Sequence, residues 1–251
     1  MTVANTGFTV VPLDMAWNSF DDQHPGCRHA MTELLPALNH FEFQQNPLFA
    51  QTWMLAAAEW WRRVHLASQP CSRLHPHTAD GATTRGSGRK PGRCRICALQ
   101  RSLQERLAGT HQLQWPQDET ANFPFKTLHF MLTQALVTLR DTRGPRCHHV
   151  SLGVPGVRFE ARCGDTIRFG RFTSTSLHKQ IAQQFGTDTM FQVQTCYGVD
   201  IQEFSSSPTE EEVLIPPLET FEVTGVTQEG ERAVIQLRSR GTFSRYSCEW
   251  L

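Results

Sequence analysis

No stretch of this chain approaches the ~20 consecutive apolar residues that a membrane helix needs. Residues 1–9 hold neither a basic cluster nor an apolar run, so a secretory leader is not expected in the chain as it stands. Net charge is absent as well. Lys plus Arg and Asp plus Glu each total 24, so no global field draws the chain to nucleic acid or to an anionic membrane. Internal repeats are missing, which excludes a solenoid. What is present suits a packed domain: a hydrophobic share of 39%, with six Trp and sixteen Phe, excludes disorder throughout. Eight cysteines fit an oxidising compartment better than the cytosol, and point to a secreted or surface protein whose leader lies outside this sequence.

Helical patterns come first along the chain. Asn46-Pro47 sets up a helix start, and Phe49, Trp53, Ala56, Ala57, Trp60 and Val64 follow at helical spacing, a stripe that reads as core packing. Phe125, Leu128, Leu132, Ala135, Leu136 and Leu139 mark a second helix over 125–140, and 176–185 reads as a third. Strand patterns follow from Val150 onward, at 157–159, 166–169, 190–197, 212–215, 220–226 and 233–237. Helices first and strands later predict an α+β fold rather than a parallel α/β sheet.

Between these halves, residues 67–95 turn rich in Gly, Ser, Thr, Pro and Arg and nearly lose their apolar residues, and a short helix pattern follows at 99–107. The stretch reads as a long loop or disordered insert. Cys71, His75, His77, Cys94 and Cys97 could supply zinc ligands. One Cys-x-x-Cys preceded by histidines is a poor match to a zinc site, so no metal is expected. The arginines at 85, 89, 93, 95, 101 and 106 lack interleaved aromatics, so a solvated charge run is the better reading than a nucleic-acid surface.

The strongest chemical signal is Glu210-Glu211-Glu212 ahead of the apolar run Val213-Leu214-Ile215. On an extended backbone, Glu210 and Glu212 share one face and Glu211 takes the other. Two like charges so close are costly unless a cationic substrate or an acid–base task uses them. An acidic loop before a strand explains an isolated run equally well. This run is accompanied by Phe169-Gly170-Arg171-Phe172-Thr173-Ser174-Thr175-Ser176-Leu177 upstream. Leu13-Asp14-Met15-Ala16, Ser19-Phe20-Asp21-Asp22-Gln23, Phe125-Lys126-Thr127-Leu128-His129-Phe130, Cys147-His148-His149-Val150, Thr195-Cys196-Tyr197-Gly198-Val199 and Tyr246-Ser247-Cys248-Glu249 occur in the same order along the chain.

Together these segments resemble the vertebrate arginine-specific mono-ADP-ribosyltransferases, over roughly residues 10–65 and 122–251. The resemblance implies a single domain over 10–251, interrupted at about 66–121. It implies a helical N-terminal part packed on two β-sheets, with NAD as co-substrate in the cleft between them. Ser174 would help place the nicotinamide ribose. Glu212 would stabilise the oxocarbenium-like transition state, and Glu210 would activate the acceptor guanidinium. Cys27 would pair with Cys248, and Cys147 with Cys196. Acceptors would be arginine-bearing proteins or small guanidines, with no nucleic-acid partner. The chain would act as a monomer, outside the cell or at its surface. His148 and His149 read as polar residues flanking a disulfide at a strand start.

Two departures stand out. Where the family carries Tyr-Arg-Gly, this chain reads Ser151-Leu152-Gly153, so Leu152 replaces an Arg that holds NAD through charge. Losing such a charge-assisted bond typically costs about 1.5–3 kcal/mol, or roughly ten- to a hundredfold in affinity. Arg158, Arg168 or Arg171 are candidates to replace it, and Arg171 stands where relatives often carry Gln. The family's apolar helical stretch has no visible counterpart in 66–121. If Leu152 ends productive NAD binding, the alternative is a binding module without catalysis. A zinc-stabilised interaction protein built on the middle segment is the third reading.

Overall fold

The computed structural model describes residues 9–67, 123–205, 207–230 and 232–249. The anomalous stretch from residue 68 on, with its Cys and His candidates and the short helix expected at 99–107, lies outside the described residues. Two helices, α1 (Arg28–Gln45) and α2 (Pro47–Ala67), precede a third, α3 (Lys126–Arg143). Asn46 starts α2 by accepting the Phe49 N–H on Oδ1, and its Nδ2 donates to the Pro124 carbonyl at 2.7 Å. The α3 N-terminus has no side-chain cap of its own. Glu42 of α1 supplies one from a distance: its carboxylate accepts the N–H groups of Lys126 and Thr127 at 2.7 and 3.0 Å. Burial pushes the Glu42 pKa up, and these bonds oppose the shift. Of the α2 stripe read as core packing, Phe49 and Ala56 are buried and Trp53 partly so, and the side chains of Trp60 and Val64 lie outside the described residues. Phe49 and Ala56 of α2 pack with Phe125, Leu128, Leu132, Leu136 and Leu139 against Val199, Ile201 and Leu214. Among the described residues no helix is long and apolar enough to cross a membrane.

Beyond α3 the chain is mostly strand. After β1 (Thr9–Pro12), the strands are β2 (His148–Val154), β3 (Val157–Glu160), β4 (Thr166–Arg168), β5 (Thr173–Ser176), β6 (Thr189–Thr195), β7 (Val199–Asp200), β8 (Glu212–Ile215), β9 (Glu219–Glu229) and β10 (Arg232–Thr242). One short helix, α4 (Lys179–Phe185), lies between β5 and β6. The helix expected over 176–185 therefore begins later, because Ser174 and Ser176 are taken into a strand. β1 pairs in parallel with β3, and a strand stabilised by a distant partner leaves little trace in local periodicity.

Eight strands form one sheet in the order β4-β9-β10-β6-β2-β5-β8-β7, and β1-β3 makes a separate ribbon. The β2–β5 junction is a single residue pair, Ser151 with Ser176, whereas β2 meets β6 over seven pairs and β5 meets β8 over four. One rung thus joins two half-sheets, in agreement with the α+β, two-sheet architecture that the resemblance implied.

Both expected disulfides are present. Cys27–Cys248 joins residues 221 apart, and Cys147–Cys196 residues 49 apart. In the chain-entropy account, loops of these lengths are worth on the order of 5 and 4 kcal/mol. The first bridge is part of a larger knot. Asp21 pairs with the fully buried Arg168, and its Oδ1 accepts the Arg245 N–H at 2.9 Å. Asp22 accepts the N–H groups of His24 and Glu249.

Helix α4 lies directly on β2. A Cβ at Gly153 would stand 2.2 and 2.3 Å from the carbonyl oxygens of Gly186 and Ala182, which are backbone atoms and cannot turn aside. Gly153→Ala is therefore expected to cost about 1–3 kcal/mol through overpacking. Urea unfolding of the variant beside wild type checks this, and equal midpoints would show that α4 does not rest on the strand.

Candidate active site

The site is built where β5 lies beside β8. Their register sets Ser174 opposite Leu214 and Ser176 opposite Glu212, so Ser174, Ser176 and Glu212 share one face and Val213 and Ile215 the other. Val213 and Ile215 are fully buried in a second apolar cluster with Phe191, Phe221 and Ile235, which fixes the face on which Glu212 emerges. Glu212 is only 6% exposed. Its Oε1 accepts a hydrogen bond from Ser174 Oγ at 2.5 Å, a charge-assisted contact that ties together the two residues singled out from separate motifs.

The acidic run departs from the extended backbone assumed for it. Residues Pro208–Glu210 form a 3-10 turn, and Glu211 has φ of 44°. Strand geometry begins only at Glu212, so simple alternation does not relate Glu210 to Glu212. Glu210 is instead held by its backbone, whose carbonyl accepts Ser176 Oγ at 2.8 Å.

Leu152 is half-buried against the cluster that holds Val150 and Val154. Ser151, its neighbour on β2, pairs with Ser176, which pairs with Glu212. Leu152 therefore leaves β2 on the face opposite Glu212 and brings no charge to the site. Arg168 cannot stand in for the missing cation. Besides pairing with Asp21, it donates to the carbonyls of Met15 at 2.8 Å, Phe243 at 3.0 Å and Ala16 at 3.1 Å. Arg158 lies on β3, in the separate ribbon. Arg171 sits three residues before Ser174, where burial lowers its pKa; a guanidinium still keeps its charge.

Sequence reading missed two buried carboxylates that support the site. Glu42 caps α3, as described. Glu219 of β9 is fully buried and accepts bonds from Thr195 Oγ1 at 2.5 Å, Ser239 Oγ at 2.6 Å, Cys196 N at 2.8 Å and Tyr197 N at 3.2 Å. Burial pushes its pKa up against those bonds. A lone Glu in a strand pattern gives no sign of such a role. Cys163 is an exposed free thiol, and His148 is partly buried at the start of β2 beside the Cys147 bridge.

The family description NAD:arginine ADP-ribosyltransferase matches residues 13–83 and 95–245. A chicken (Gallus gallus) NAD(P)(+)--arginine ADP-ribosyltransferase 2 is 45% identical over 246 residues, covering 98% of this chain and 75% of that protein. The human GPI-linked NAD(P)(+)--arginine ADP-ribosyltransferase 1 is 42% identical over 251 residues, covering 96% of this chain and 75% of that protein. The crystal structure of the eucaryotic mono-ADP-ribosyltransferase ART2.2 superposes with a TM-score of 0.72 at 30% identity, covering 96% of this chain and all of that one, and mutants of the same enzyme have been solved with NADH and with NAD. The matched residues include most of the middle segment that showed no counterpart by inspection and omit only 84–94 between the two stretches. On these likenesses and on the paired Ser174 and Glu212, the chain belongs to the NAD:arginine ADP-ribosyltransferase family.

Proposed function

We propose that this chain transfers ADP-ribose from NAD to the guanidinium of arginine, in acceptor proteins or small guanidines, and releases nicotinamide. The observation that carries the reading is the buried Glu212 carboxylate bonded to Ser174 Oγ on the sheet face beside the single-rung junction. This donor set suits NAD. A carboxylate favours a ribose that becomes cationic, a serine hydroxyl can bond its oxygens, and the Arg171 guanidinium offers charge to the diphosphate.

In the reaction, the bond from ribose C1′ to the nicotinamide nitrogen breaks, and its electron pair leaves with nicotinamide. Glu212 stabilises the cationic C1′ that results. Glu210 orients the acceptor guanidinium and takes the proton lost when its nitrogen bonds to C1′. Leu152 contributes no charge to NAD, so affinity rests on the remaining contacts. The two disulfides, together with the GPI-linked and ecto-enzyme names of relatives, support a place outside the cell or at its surface.

The test is nicotinamide release from NAD with and without agmatine. Glu210→Gln is expected to lose agmatine-dependent transfer by about 10²-fold while hydrolysis of NAD by water persists. Full transfer by that variant would remove Glu210 from the role.

A further inference from the structure

Glu211 lies between the two functional carboxylates, and the mechanism gives it no task. Its backbone is in the left-handed region, which is unfavourable for a non-glycine residue and persists only where neighbours hold it. Those neighbours form a closed ring. Ser176 Oγ donates to the Glu210 carbonyl at 2.8 Å and accepts the His178 N–H at 3.0 Å. Leu177 N donates to the Glu211 carbonyl at 3.2 Å. The ring is closed by side chains: His178 Nε2 lies 3.0 Å from Glu211 Oε2.

We propose that the His178–Glu211 pair is a positioning contact that sets the aim of Glu210 and so decides how much ADP-ribose goes to arginine rather than to water. The inference rests on the transferase reading above. Its logic is a difference in anchorage. Glu212 is fixed by the β8 ladder, by Ser174 Oγ and by its own carbonyl, which accepts the Ile201 N–H at 2.9 Å. Glu210 precedes the strand, at the end of a one-turn 3-10 segment; its carbonyl is held by Ser176 Oγ, and along the backbone it reaches Glu212 through the strained Glu211. Releasing the Glu211 side chain lets that backbone relax and moves Glu210, whereas Glu212 stays in place. Both partners of the pair are part-exposed, so the contact adds little to global stability. Its effect lies in geometry, where a displacement of about 1 Å can cost up to about 10²-fold in rate.

The experiment measures agmatine transfer and NAD hydrolysis side by side at one pH for wild type, His178→Ala and His178→Lys. Amide hydrogen exchange of the peptide covering 207–212 is followed in the same proteins. His178→Ala is expected to lower the ratio of transfer to hydrolysis by roughly five- to tenfold, with unchanged KM for NAD and unchanged melting temperature, and to speed exchange at 210–211 but not within β9 and β10. His178→Lys supplies a donor that can reach the Glu211 carboxylate and is expected to recover the ratio. An unchanged ratio in His178→Ala, or a His178→Lys protein indistinguishable from it, overturns the proposal. If wild type neither transfers nor hydrolyses, the transferase reading falls separately, and exchange at 210–211 alone then decides for or against the contact.

Discussion

Glu212→Gln is expected to reduce nicotinamide release by about 10²–10³-fold, both with agmatine and without it, while the melting temperature stays within a few degrees of wild type. The substitution removes a charge and leaves the shape. Val213 and Ile215 still anchor β8 in the apolar cluster, and the amide oxygen of Gln can still accept the bond from Ser174 Oγ. On the proposed mechanism what is lost is the negative charge that faces C1′, on a side chain only 6% exposed, where a fixed charge acts more strongly than in water. Removal of one stabilising group from such a site typically costs about 3–4 kcal/mol of transition-state energy. Ser174→Ala leaves the charge and removes its anchor together with the hydroxyl proposed to bond the ribose, so a smaller loss is expected. Release by Glu212→Gln within tenfold of wild type would show that this carboxylate does not face the breaking bond. Comparison with Glu210→Gln separates the roles: one variant loses cleavage of NAD altogether, the other only its delivery to a guanidine.

Much of this site was legible because its chemistry is carried by short motifs whose order along the chain survives. Ser174 and Glu212 stand 38 residues apart, and nothing local links them; the resemblance gave each a role at the nicotinamide ribose, and the β5–β8 register brings the two side chains together. The apolar stripe of α3 and the strand at Glu212–Ile215 were equally visible, because burial on one face imposes a period. Three features were not. The turn at Glu210 and Glu211 has a conformation set by the ring through Ser176 and His178, not by the Glu residues themselves. The cap on α3 comes from Glu42, more than eighty residues away. Arg168 looked available for NAD until its partners Asp21, Met15, Ala16 and Phe243 were brought around it by the N- and C-terminal segments. In each case the deciding contact is long-range, and a single sequence records the residue but not its partner.

His129 should make the fold acid-sensitive in a window that opens above that of ordinary carboxylates. It lies on α3 among the rings of Phe20, Phe123 and Phe172, with the His24 ring 6.1 Å away. Neither ring nitrogen has a hydrogen-bond partner. Desolvation lowers its pKa to about 3, with His24 adding to the shift and Asp22 opposing it. The sign follows from linkage. Above about pH 6.5 the imidazole is neutral in both the folded and the unfolded chain, and stability is complete. As pH falls below that value the unfolded chain takes up a proton that the folded chain refuses. Stability is then lost by up to about 1.4 kcal/mol per pH unit, and by roughly 5 kcal/mol once pH has passed through the folded value near 3. His24, also lowered by burial, adds slope of the same sign. Glu42 and Glu219 act in the other direction: their pKa values are raised, so the folded state gains protons first and gains stability as pH drops. The raw curve therefore mixes opposing slopes, and the informative quantity is the difference from His129→Leu. Two buried nitrogens without partners disappear in that variant, so at pH 7.5 it should be no less stable than wild type. Between pH 7.5 and pH 5 its advantage should grow by about 2 kcal/mol, read from urea unfolding at each pH. Curves that stay parallel over that range would mean that His129 takes up its proton in the folded protein as readily as in the unfolded chain, and that the aromatic box around it is open to water.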